Sequence, residues 1–159
     1  MDGLQDERIT LVGLLTESYT ALRAQLDRGL ERDADLPLQW FELLIRLARS
    51  PRHRLRMSDL AAQTSLTPSG LTRATDRLEA AGLVERVPCP SDRRGAFAAL
   101  TPLGLERIRA AVDPHLEHVE QHFTSALSRA ERDQLASLLR KVRDHVNPGA
   151  AAVPASVDS

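Results

Sequence analysis

Two arginines and an aspartate, Asp92-Arg93-Arg94, follow Pro88, Pro90 and Ser91 and precede Gly95, a composition that marks a turn. Upstream, Ser69, Thr72, Arg73, Asp76 and Arg77 recur three and four residues apart. On a helix they share one side, opposite Leu71, Ala74, Leu78 and Ala81. Hydroxyls and guanidinium groups are what a nucleic acid requires, since arginine bonds guanine O6 and N7 and serine or threonine bonds bases or phosphates. An exposed Asp–Arg pair contributes only about 0–1 kcal/mol to stability. Contact therefore explains the tip better: one arginine enters a narrow minor groove while Asp92 braces the turn.

Charge is distributed in keeping with this. From Arg49 to Arg94 nine arginines stand against five acids, a local +4 within a chain of net charge −1. A basic middle between acidic flanks suits a local contact with duplex DNA and argues against a general polyanion binder. No glycine-rich phosphate loop, nucleophile elbow or pair of loop acids supports an enzyme. A winged module used only for protein contacts should lack arginines on its reading face and tip, and both are here.

Two other groups could carry chemistry. His115, His118 and His122 stand at i, i+3 and i+7, and the last two have the spacing of a helical metal pair. No completing ligand is identifiable, so a solvated or interface stripe is expected, with no metal and no cofactor. Cys89 cannot form an internal disulfide. Arg86 and Arg93 nearby could lower its pKa and make it a redox switch, but an inert thiol is the expectation.

The elements that must position these groups follow from periodicity and caps. Leu11, Leu14, Leu15, Tyr19, Leu22, Leu26 and Leu30 stripe a long helix over Ile9–Leu30, which Asp33-Ala34-Asp35-Leu36-Pro37 breaks. A second, buried helix carries Trp40, Phe41, Leu43, Leu44 and Leu47 and ends at Ser50-Pro51. An arginine-rich loop leads to a short helix with Ser58 as its N-cap. Thr67 caps the next helix, which starts at Pro68 and stops at Gly82. Two short helices joined by a few residues form a helix-turn-helix. Leu83–Val87 and Ala96–Leu100 then read as a hairpin with a long tip, completing a winged helix. Thr101-Pro102 opens a long helix reaching about Ala126, and Ser128 and Glu131 form a capping box for a last helix that buries Leu135, Leu138, Leu139 and Val142.

The expected fold is mainly α with a small β-hairpin: a winged helix-turn-helix domain flanked by long dimerisation helices. Residues 1–35 form the N-terminal dimerisation helix, 36–101 the DNA-binding region, 102–146 the C-terminal dimerisation helices and 147–159 a disordered tail. The 159 residues suffice for one core. With no apolar run long enough for a membrane span and no signal-peptide order at Met1–Glu7, a cytoplasmic protein without membrane contact is expected. The apolar stripes of the first and last helices exceed what a winged module covers, so a homodimer is expected, its reading helices about 34–36 Å apart.

The run Leu71–Arg86, then Asp92-Arg93-Arg94, then Leu100-Thr101-Pro102-Leu103-Gly104, resembles the MarR family of bacterial transcription regulators. The likeness covers about residues 57–108 by motif and nearly the whole chain by helix order. It implies a dimer built from the first and last two helices on a pseudo-palindromic operator, usually as a repressor. It also implies that Asp92 and Arg94 form the wing motif, with Ser69, Thr72, Arg73 and Arg77 on the recognition helix. Val87-Pro88-Cys89 departs from members with further basic residues there. Members often bind small phenolic or aromatic acids near the dimer helices, for which Tyr19, Arg23, Trp40 and Phe41 are the candidates here. Others respond to zinc, or to peroxide through a cysteine near the N-terminus, which this chain lacks.

Overall fold

The computed structural model describes residues 3–64, 66–89 and 92–150, with Gly3, Asp92, Arg93, Arg94 and Ala150 described through the backbone alone. Six α-helices and three strands are described: α1 (Glu7–Ala34), α2 (Leu38–Ala48), β1 (Arg54–Arg56), α3 (Met57–Ala62), α4 (Pro68–Ala80), β2 (Val84–Cys89), β3 (Asp92–Leu100), α5 (Pro102–His122) and α6 (Arg129–Val146). The expected winged helix-turn-helix is present, mainly helical around a small antiparallel sheet.

The core gathers Leu30 and Leu36 at the end of α1, the apolar face of α2, Leu60, Leu71 and Leu78 of the helix-turn-helix, and Ile108 and Ala111 of α5. Burial of Phe41, Leu43, Leu44 and Leu47 makes α2 the central post. α1 runs to Ala34, where Asp35, in the left-handed conformation at φ 47°, closes it by donating its backbone N–H to Leu30 O.

The sheet has three strands where the sequence suggests two, in the order β1-β3-β2. β1 lies in the segment expected to be an arginine-rich loop; its single apolar residue, Leu55, pairs with Ala98, and both are buried. Three residues give too short an alternation to read as a strand. Ser58 is not the cap of α3: the helix starts one residue earlier, and Arg56 occupies the cap position without a side-chain bond.

Gly104 explains the Leu-Thr-x-x-Gly run. Thr101 caps α5 by accepting from Gly104 N, and donates to Gly82 O at 2.6 Å. A Cβ on Gly104 would lie 1.9 Å from Leu83 O, so only glycine lets α5 start this close to the strand. α5 ends at His122, and a 3-10 turn, Thr124–Ala126, replaces its expected last turn.

α6 differs from expectation in what it buries. Leu138, Leu139 and Val142 are exposed, as are Ile9, Leu11, Val12, Leu14 and Leu15 of α1 and Leu116 of α5. At the start of the expected tail, Asn147 Nδ2 donates to Ala62 O at 3.0 Å, and Pro148–Ala150 form a 3-10 turn beside α3. Residues 151–159 of the expected tail lie outside the described residues. No helix among the described residues is long and apolar enough to cross a membrane.

Candidate nucleic-acid interface

α4 is set up by its first turn. Thr67 accepts from Gly70 N at 3.1 Å, and Pro68 follows at the first helical position. A Cβ on Gly70 would lie 3.1 Å from the capping oxygen, a close contact that the Thr67 side chain would have to ease. Leu71, Ala74, Thr75 and Leu78 are buried; Ala81, expected in the core, is the exposed C-cap residue.

The opposite side is the expected polar stripe. Ser69, Thr72, Arg73, Asp76 and Arg77 are all exposed. The Thr72 hydroxyl donates to Pro68 O at 3.0 Å, and Ser69 Oγ lies 3.4 Å from Thr67 Oγ1. Their hydroxyls retain acceptor capacity for an approaching donor. The side chains of Arg73 and Arg77 make no hydrogen bond or ion pair with any described residue, so both guanidinium groups are available.

Asp76 is already engaged. Arg86 of β2 extends one guanidinium nitrogen to Asp76 Oδ1 at 2.6 Å and the other to Glu79 Oε2 at 2.5 Å. Its backbone N–H also donates to Glu79 Oε1 at 3.2 Å. Hydrogen bonding to Asp76 raises the guanidinium pKa further, so the charge is fixed. Sequence reading missed this clamp because its ends lie on different elements, Asp76 and Glu79 on α4 and Arg86 on β2.

In the wing, β2 pairs with β3 from Val84↔Leu100 to Pro88↔Ala96, with an irregularity at Pro88/Cys89 and Cys89 opposite Asp92. The side chains of Asp92, Arg93 and Arg94 lie outside the described residues. Cys89 is buried and is in no disulfide. Beside the wing, the guanidinium carbons of Arg54 and Arg56 lie 4.8 and 5.7 Å from the Phe97 ring centre. Both arginines thus sit on one face of the sheet with an aromatic between the cations.

Of the residues expected to bind a small molecule, Tyr19, Arg23 and Phe41 line one cavity of about 150 Å³, together with Glu42, Arg46 and His115. Trp40 does not line it and packs against the core instead. Arg23 bonds Glu42 at 2.7 Å and Tyr19 Oη at 3.3 Å. The Nε of Arg46 and the Nδ1 of His115 are buried without a hydrogen-bond partner among the described residues. Burial, then the neighbouring His118, lowers the His115 pKa and favours a neutral ring, which lies tilted at 36° against Phe41 with ring centres 4.1 Å apart.

The histidine stripe divides. His118 is buried, with Nε2 2.7 Å from Asp33 Oδ2, so it ties α5 to α1 and is not solvated. His122 lies over it at 6.2 Å. Among the described residues no group of three or more His, Cys, Asp or Glu is arranged to hold a metal ion.

A helix-turn-helix whose second helix presents two uncommitted arginines, followed by a hairpin tied to that helix, defines a winged-helix DNA-binding protein. The MarR family model matches residues 34–95. The solved structure of Sco3205, a MarR family transcriptional regulator from Streptomyces coelicolor in complex with DNA, superposes with a TM-score of 0.81 at 39% identity, covering 93% of this chain and 92% of that one. PecS of Dickeya dadantii (strain 3937), an HTH-type transcriptional regulator, is 29% identical over 90% of this chain and 86% of its own. The transcriptional repressor MprA of Escherichia coli (strain K12) is 34% identical over 64% of this chain and 57% of its own. The chain belongs to the MarR family: it is a DNA-binding transcription regulator, not an enzyme.

Proposed function

We propose that this regulator is a cytoplasmic homodimeric repressor that binds a pseudo-palindromic operator and is released by a small aromatic acid. The observation that carries the DNA reading is the pair Arg73 and Arg77, exposed and unengaged on a helix whose other face is core. With Ser69 and Thr72 they form the major-groove surface. Asp92, Arg93 and Arg94 form the minor-groove probe, Asp92 bracing the tip. Support for DNA as partner comes from Sco3205, solved on DNA; support for repression comes from the likeness to MprA, a transcriptional repressor.

Dimerisation is supported by the apolar side chains that the protomer leaves exposed on α1, at Leu116 and along α6. A second copy is the simplest cover for three such faces in one protomer. The cavity lined by Tyr19, Arg23 and Phe41 has room for a single ring, with Phe41 as its wall and arginine as partner for a carboxylate. It lies between α1, α2 and α5, the elements through which a ligand would reset the lobes. An electrophoretic shift with DNA flanking the gene, repeated with benzoate and with neutral benzamide, tests the reading. Benzoate alone should release the complex; no shift at all removes the reading.

A further inference from the structure

We propose that Arg86 is a positioning residue for DNA binding, fixing the angle between the reading helix α4 and the wing. The inference rests on the reading that both surfaces meet the duplex. Arg86 is the one residue among those described that joins both α4 carboxylates to β2: its side chain spans Asp76 and Glu79, and its own N–H bonds Glu79. A third, longer contact reaches Thr72 O at 3.5 Å, one residue before Arg73. The clamp therefore grips α4 along the turns that carry Thr72, Arg73 and Arg77.

Stability does not explain the arrangement. The Asp76 and Glu79 side chains are 55% and 41% exposed, and ion pairs of that exposure contribute about 0–1 kcal/mol. Geometry does explain it. The fork of an arginine bridging two carboxylates has little freedom to pivot, and the strand continues beyond Arg86 to Cys89, opposite Asp92, a reach of about 10 Å at 3.3 Å per residue. A small rotation at the clamp is thus magnified at the tip. The same bonds also offset one of the two negative charges that Asp76 and Glu79 bring to a helix that approaches phosphates.

Arg86→Ala, Arg86→Lys and the double variant Asp76→Ala/Glu79→Ala separate the clamp from simple electrostatics. Each is bound to a duplex selected with the wild-type protein, then probed by dimethyl sulfate for guanine N7 in the major groove and by hydroxyl radicals for the minor groove. Arg86→Ala should melt close to wild type and keep N7 protection but lose minor-groove protection. Its affinity should fall about tenfold, and its salt slope by about one for each wing released. Arg86→Lys, which keeps the charge without the fork, should fall between. The double variant should also lose minor-groove protection, although removing two acids from a DNA-facing helix would by charge alone tighten binding. Minor-groove protection intact in Arg86→Ala, or tighter binding with an unchanged footprint in the double variant, overturns the proposal. Wild-type protein lacking minor-groove protection removes the wing reading, and the clamp with it.

Discussion

His118 Nε2 stands 2.7 Å from Asp33 Oδ2, joining the C-terminal part of α5 to the end of α1. A carboxylate only accepts, so the imidazole presents Nε2–H to it. Hydrogen bonds from Arg32 and then His118 hold the Asp33 carboxyl at about 2, below its ordinary 3.8. With the folded value depressed, the unfolded chain binds more protons between these two values. The contribution of Asp33 is therefore present above about pH 4 and lost as pH falls to about 2. Urea unfolding should show wild type more stable than Asp33→Asn at pH 6, the gap closing toward pH 2. A gap unchanged by pH would contradict this.

Glycine substitutions should divide by sign. Gly104→Ala places a methyl 1.9 Å from Leu83 O, backbone that cannot yield cheaply, and should cost about 3 kcal/mol or more. Gly29→Ala drives a Cβ to 2.4 Å from the His118 ring and should cost about 1–3 kcal/mol. Gly13→Ala, whose nearest neighbour is Glu17 Oε1 at 3.9 Å, should instead stabilise by up to about 1 kcal/mol through helix propensity. Thermal melts of the three variants decide it; a destabilised Gly13→Ala together with a tolerated Gly104→Ala would reverse the packing account.

Local chemistry made much of this fold legible. Thr67, Thr101 and Ser128 are caps whose oxygens bond the amides their spacing implies, and the polar stripe of α4 is exposed as its period requires. What escaped was non-local. β1 exists because Leu55 meets Ala98, more than forty positions away. Asp76 looks like a groove-facing acid until Arg86 folds back on it, and His118 looks solvated until Asp33 arrives from α1. The apolar face of α6 reads as core because periodicity reports that a face will be covered, not whether the same protomer covers it.

Operator binding should separate contacts that position from contacts that specify. Arg94→Ala should weaken binding to all sequences alike and lower the salt slope by about one for each wing. Arg73→Ala or Arg77→Ala should cost about 1–3 kcal/mol at one base position per half-site and relax preference there. Titrations on an operator panel at two salt concentrations check both. Uniform weakening from all three variants would place every arginine on phosphate.

The exposed stripes make dimerisation breakable by charge. Leu14→Glu or Leu139→Glu puts a carboxylate on a face proposed to be covered by a second copy, and should yield folded monomers with operator affinity lowered at least a hundredfold through lost effective concentration. Light scattering with circular dichroism reads both properties. Dimers that persist in both variants would move the interface elsewhere.

For the ligand, Arg23→Gln should reduce the benzoate response about tenfold while leaving operator affinity without benzoate near wild type, because Arg23 touches the cavity and not the reading face. An equal response from wild type and variant would take the acid's partner away from Arg23.

The central claim, two copies presenting α4 and the wing to successive turns of one duplex, is tested most directly by a hydroxyl-radical footprint of the wild-type protein on its operator. The account predicts two protected half-sites on one face, centred about 10 base pairs apart, each flanked by a minor-groove footprint. A single protected half-site from a monomer, or protection without that spacing, would contradict it.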